Sequence, residues 1–214
     1  MKTHRYWVDR DPDAGLEDRT ARKAVEGTND NKPRKGNWMQ TFTGHQFWPL
    51  DPRPEEIFIE DIAHSLSMQC RYAGHSIRFY SVAEHSCMIA QYLLPLYGRE
   101  VALWGLLHDA SEAYLVDVPR PVKPYLAGYK DAEARVMAAV CDRFNLPRAM
   151  PKEVHEVDGR IIGDERANMA PCVAEWYATG EPLGIWLEYW TPDQAERWFL
   201  HMFNQLYDVR RAAA

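Results

Sequence analysis

The sequence predicts an all-α protein, a helical bundle with one small β-hairpin near its start. Three observations carry this. Apolar residues recur at helical spacing through most of the chain beyond residue 80. Two of those stretches open on a Ser or Thr-Pro start signal. Only two short stretches, both before residue 80, read as paired strands.

Residues 1–38 are charged and poor in aliphatic side chains, as in Asp9-Arg10-Asp11 and Asn31-Lys32-Pro33-Arg34-Lys35. Such a segment buries little apolar area to offset chain entropy. It reads as a partly ordered extension, with Trp7 available to pin it, ahead of one domain over 39–214. Thr41-Phe42-Thr43 and Gln46-Phe47-Trp48 flank Gly44-His45 and predict a hairpin. Pro54-Glu55-Glu56 opens a helix carrying Ile62 and Leu66 on one face. A second strand-like pair lies around Cys70-Arg71-Tyr72 and Ile77-Arg78-Phe79.

Helices follow. Ser81 and Glu84 form an S-x-x-E capping box ahead of an apolar run to Leu94. Val101 to Val116 reads as one strongly apolar helix, ended by Pro119 and Pro121. Tyr129 to Phe144 carries Val136, Val140 and Phe144 at four-residue spacing. Glu153 to Met169 is amphipathic through Val154, Val157, Ile161 and Ile162. Thr191-Pro192 starts a last helix whose Trp198, Phe199, Met202, Phe203 and Leu206 are apolar.

Composition narrows the function. With 46% hydrophobic and 26% charged residues, the chain is ordinary for a globular protein. A net charge of -6 lacks the broad positive footprint of a nucleic-acid polymer binder. The four cysteines form no C-x-x-C pair, which argues against a zinc ribbon or a thioredoxin-like motif. Buried free thiols point to a reducing compartment. With no signal peptide and no membrane span in view, the expectation is a cytoplasmic protein, in the host cytoplasm if viral.

The chemistry concentrates in Leu107-His108-Asp109-Ala110-Ser111-Glu112, which follows the uncharged stretch Val101–Leu107. A buried carboxylate beside a histidine must be paired, protonated or bound to metal. Glu112 lies four residues after His108 and three after Asp109, on roughly the same side of a helix. His85 sits one turn into its own capped helix, and Asp158 lies among Val154, Val157, Ile161 and Ile162. Three helices thus each place a nitrogen or oxygen ligand where a solvated face needs none, and such a set suits a divalent transition metal. His64 and His75 read as hydrogen-bonded structural histidines, and His45, His155 and His201 as structural or exposed.

The order His85 … His108-Asp109 … Asp158 resembles the H…HD…D pattern of HD-domain phosphohydrolases. Longer words resemble the branch of 5'-deoxynucleotidases and phage dATP triphosphohydrolases. They are Phe79-Tyr80-Ser81-Val82-Ala83-Glu84-His85-Ser86, His108–Glu112 and Asp117-Val118-Pro119-Arg120-Pro121-Val122-Lys123. Phe47–Pro54 and Glu60–Ser67 resemble the phage members and their bacterial relatives. The likeness covers about residues 41–170.

The resemblance implies a divalent metal ion (Mn, Co, Zn or Mg) on His85, His108, Asp109 and Asp158. It implies Glu112 as the residue that orients or deprotonates water, and Asp117 as the carboxylate on the leaving-group side. Arg71 and Lys123 match phosphate-clamping cations, Pro121 lines the base pocket, and Tyr72 stacks on sugar or base. The expected reaction cleaves the 5'-phosphate ester of a deoxynucleotide. A triphosphate such as dATP would give deoxynucleoside and triphosphate; a monophosphate would give deoxynucleoside and phosphate. A cyclic-nucleotide phosphodiesterase, a guanosine tetraphosphate hydrolase and a non-catalytic nucleotide-binding protein are the rival classes. The expected assembly is a homo-oligomer.

Overall fold

The computed structural model describes residues 33–174, 176 and 180–207. The fold is mostly helical, with one two-stranded antiparallel sheet near its start. The expectation for residues 1–32, Trp7 included, lies outside the described residues. The last part of the charged segment is tied to the domain. Arg34 pairs with Glu56 at 2.6 Å and Asp51 at 2.9 Å, and its guanidinium lies 4.1 Å above the Trp48 ring.

The hairpin exists with its second strand as expected, but the first strand lies just before the expected Thr41-Phe42-Thr43. Strand β1 is Met39–Gln40 and β2 is Gln46–Phe47, with Met39 opposite Phe47 and Gln40 opposite Gln46. Thr41–His45 forms the turn, because Asp61 captures it: its carboxylate accepts from the Thr43 N–H at 2.7 Å and hydroxyl at 2.9 Å. Phe47 then stacks on Tyr114 at 3.9 Å, fixing the hairpin to the bundle.

Pro54–Glu56 forms a single 3-10 turn and does not open the first helix. Extended backbone at Ile57 and Phe58 intervenes, and helix α1 runs Ile59–Met68. The second strand pair is also corrected. Its first half, Arg71–Gly74, is a tight turn with Tyr72 and Ala73 at φ 56° and 52°, and a lone bridge joins Cys70 to Ser81. Left-handed backbone at two side-chain-bearing residues is rare, and here it swings Arg71 and Tyr72 toward Glu165.

Helix α2 (Val82–Tyr97) is the hub and touches α1, α3, α6 and α7. Half of the expected capping box forms: Ser81 Oγ accepts the Glu84 N–H at 3.0 Å. The Glu84 carboxylate serves elsewhere. It accepts the N–H groups of Glu188, Tyr189 and Trp190 at 2.9, 2.8 and 2.8 Å, anchoring the segment before the last helix.

The expected single helix from Val101 to Val116 is broken. Helix α3 is Arg99–Leu107, α4 is Glu112–Leu115, and a tightened turn joins them through Ala110 N–H to Leu107 O and Glu112 N–H to Asp109 O. His108 contributes to the break, because its Nδ1 lies 2.8 Å from the Gly105 carbonyl that a continuous helix would give to Asp109.

Helix α5 is Tyr129–Arg143, as expected to within a residue. Helix α6 is Lys152–Glu165, and the remainder to Asn168 tightens into a 3-10 turn. Helix α7 is Pro192–Leu206, and Thr191 and Gln194 complete a reciprocal capping box. Its Phe199, Met202, Phe203 and Leu206 are buried, so this stripe serves the core, with Trp198 partly buried against it. Cys87 and Cys141 are buried free thiols, as read from the sequence. No helix among the described residues is long and apolar enough to cross a membrane.

Close approach of α2 and α3 depends on Gly105. A Cβ there would meet Leu93 Cδ1 at 2.5 Å and Ile89 Cγ2 at 3.0 Å. Gly105→Ala is therefore expected to destabilise the fold by about 1–3 kcal/mol despite alanine's better helix propensity, measured by urea denaturation.

Candidate metal centre

Two histidines from different elements converge at the middle of the bundle. His85 lies in the first turn of α2 and is fully buried; His108 caps the end of α3 and is 8% exposed. Their rings are 5.2 Å apart. Each ring has its Nδ1 claimed, His85 by the Glu165 carboxylate at 2.7 Å and His108 by the Gly105 carbonyl at 2.8 Å. A carbonyl or an ionised carboxylate can only accept, so the neutral rings carry their proton on Nδ1. That leaves both Nε2 lone pairs facing inward.

Neither Nε2 makes a hydrogen bond, although both are buried. What they face is carboxylate. Asp109 Oδ2 is 3.1 Å from His108 Nε2 and 3.7 Å from His85 Nε2. Asp158 Oδ1, from the middle of α6, is 3.3 Å from His85 Nε2 and 3.8 Å from His108 Nε2. His85, His108 and Asp109 offer ligand atoms all within 4.8 Å of one another, so this buried group fits a metal ion. Two orphaned buried imidazole nitrogens opposite two carboxylates are what a divalent cation needs.

The electrostatics follow. Burial raises Asp109 and Asp158, but the two histidines outweigh it; Asp109 is lowered to about 2 and Asp158 falls well below the ordinary carboxylate range. Burial disfavours a charged His108, yet Asp109 and Asp158 raise it well above its usual value. A proton on His108 competes with a metal for the same lone pair, so metal affinity must fall as pH is lowered.

Glu112, in the first turn of α4, stands beside this group. Its Oε1 accepts from Lys123 Nζ at 2.9 Å, while its buried Oε2 has no hydrogen-bond partner. Burial first, then Asp109 and Asp117, push its carboxyl up to about 8 against the pull of Lys123. Gln69 spans the neighbourhood, its Nε2 donating to the Glu112 carbonyl at 3.0 Å and its Oε1 accepting the Asp117 N–H at 2.9 Å.

The structure thus brings His85, His108, Asp109, Asp158, Glu112 and Asp117 together. The expected substrate-binding residues Arg71 and Lys123 lie beside this group, already paired. Arg71 is nearly buried and spent on carboxylates, 3.6 Å from Asp109 and 3.3 Å from Glu165. Tyr72 gives its hydroxyl to Glu165. Lys123 bridges Glu112 and Glu133, the latter at 3.0 Å. Pro121 is exposed on the loop between α4 and α5. Outside the centre, His64 pairs with Glu196 at 3.0 Å and stacks on Phe42, and His155 is exposed, both as read; His75, expected as a hydrogen-bonded structural residue, is exposed instead.

Sequence reasoning missed Glu165, the fully buried carboxylate that binds His85, Arg71 and Tyr72. The signal was present: Glu165 follows Asp158 by seven residues, two turns along the same face of α6. It also missed Gln69, whose role as a backbone clamp leaves no trace in periodicity.

These features define a mostly helical fold with a candidate metal centre where α2, α3 and α6 meet. No family model matches the chain. It belongs to the same family as the uncharacterized protein YfdR of Escherichia coli K12. The two are 33% identical over 181 residues, which take in 83% of this chain and 99% of that protein. An uncharacterized protein of Rhodobacter capsulatus is 39% identical over 154 residues, 66% of this chain and 79% of the relative.

Asp109→Asn and His108→Ala are expected to lose bound divalent metal, read by elemental analysis after dialysis against Mn or Co. Glu165→Gln should weaken metal binding about 10–100-fold, because His85 loses its orienting carboxylate. Metal-free protein adds a pH test. Arg71 and His85 overcome burial and lower Glu165 to about 2 from an ordinary 4.5. The stability this supplies is complete above about 4.5 and is lost as pH falls toward 2. Acid titration followed by circular dichroism should show that loss in the wild type and a shallower one in Glu165→Gln.

Proposed function

We propose that this chain is an HD-domain metal-dependent phosphohydrolase that cleaves the 5'-phosphate ester of deoxynucleotides. The substrate class is a deoxynucleoside triphosphate, with dATP as the reference case and deoxynucleoside plus triphosphate as products. The observation that carries this reading is the convergence of two unpartnered His Nε2 atoms with Asp109 and Asp158, next to a buried carboxylate with one unclaimed oxygen.

His85, His108, Asp109 and Asp158 would hold the divalent ion (Mn, Co, Zn or Mg). When bound, the ion supplies Lewis acidity toward water and toward a phosphoryl oxygen. Glu112 handles the proton. Lys123 fixes one of its oxygens, which aims the other, and a carboxyl poised near neutral pH accepts a proton from water and returns it. Gln69 keeps Asp117 beside Glu112, on the side assigned to the departing 5'-oxygen. Arg71 and Lys123, each holding two carboxylates, offset the negative charge that those groups would otherwise turn on the phosphate. The active form is a homo-oligomer, and the products return to the nucleotide pool.

The test is chromatography of products from the four dNMPs and four dNTPs, each with Mn, Co, Mg or Zn. Triphosphate release from a dNTP with untouched dNMPs supports the triphosphohydrolase. Phosphate release from dNMPs alone reassigns the chain as a 5'-deoxynucleotidase, and no turnover of either overturns the reading. Glu112→Ala is expected to retain metal while losing at least about 100-fold in kcat.

A further inference from the structure

The cations expected to clamp phosphate are already committed inside the protein. Arg71 is 12% exposed and engaged by Asp109 and Glu165; Lys123 is 28% exposed and engaged by Glu112 and Glu133. Arg120 differs. Its Nη2 lies 3.7 Å from Asp158 Oδ2, and its side chain is 74% exposed. It stands on the loop between α4 and α5, which begins at Val116 with the unusual φ of 69° for a β-branched residue.

The two oxygens of Asp158 face opposite ways. Oδ1 lies 3.3 Å and 3.8 Å from the two histidine Nε2 atoms, and Oδ2 lies toward Arg120 at the solvent boundary. With a divalent cation held at the centre, Asp158 would be neutralised and Arg120 would be released from its ion pair with Asp158. The freed guanidinium then sits just outside the centre, where a chain of phosphates leaving it must emerge. A forked, permanently charged group on an exposed stem suits phosphate oxygens there.

We propose that Arg120 reads the outer phosphates of the substrate and so favours triphosphate over monophosphate. This rests on the deoxynucleotide reading above and assigns its polyphosphate subsite. A monophosphate ends at the centre and gains little from Arg120, whereas a triphosphate presents two further anionic groups to it. The expected discrimination is about tenfold, the equivalent of one charge-assisted hydrogen bond at a partly solvated site.

The test compares wild type, Arg120→Gln and Arg120→Lys for binding of dATP and dAMP by calorimetry with calcium as the cation. Steady-state kcat/KM with Mn is measured in parallel, and circular dichroism confirms folding of this exposed variant. Arg120→Gln is expected to weaken dATP about tenfold more than dAMP, with Arg120→Lys recovering part of the difference. Equal loss on both ligands, or loss on neither, overturns the proposal while leaving the phosphohydrolase reading intact. A wild type that neither binds nor turns over dATP or dAMP overturns both.

Discussion

Four carboxylates, Asp109, Glu112, Asp158 and Glu165, lie at or near one another in the middle of this bundle, and their mutual repulsion is the constraint the rest of the fold answers. Burying them unpaired would cost more than a small domain's whole stability. The chain distributes the problem. His85 and Arg71 take Glu165, His108 faces Asp109 and Asp158, and Lys123 holds Glu112. Each arrangement is imperfect alone: both imidazole Nε2 atoms and one Glu112 oxygen stay without partners. A centre built for lowest energy would not leave three buried polar atoms without partners, and this is the physical argument for a candidate cation site.

Secondary structure around the centre bends to serve it. The break between α3 and α4 turns Glu112 out of the line of His108 and Asp109, and the left-handed turn at Tyr72 and Ala73 carries Arg71 and the Tyr72 hydroxyl onto Glu165. In both places regular structure is given up where the site is assembled, while α5 and α7 keep the lengths and caps their sequences demand.

That contrast explains what the sequence made legible. Apolar periodicity and caps located the long helices because burial of one face decides them. The residues of the candidate centre were legible because a carboxylate such as Asp158 among Val154, Val157, Ile161 and Ile162 has no reason to be there on a solvated face. The break after Leu107 was not, since it arises from a side-chain contact between His108 and the Gly105 carbonyl that competes with the helix ladder. The first hairpin strand was misplaced for a similar reason: Asp61, eighteen residues away, captures the Thr43 backbone. Arg71 and Lys123 do lie beside the candidate centre, but only the fold shows that their charges are already matched.

Glu84 ties the C-terminal part of the chain to the element that carries His85. Its buried carboxylate, pushed up to about 7 by burial against the pull of three N–H donors, has those donors only when the segment around 188–190 is in place. During synthesis, α2 leaves the ribosome roughly a hundred residues before that segment does. Until then Glu84 must remain hydrated or protonated next to His85, so the first turn of α2 gains its last buried partners from the C-terminal part of the described chain.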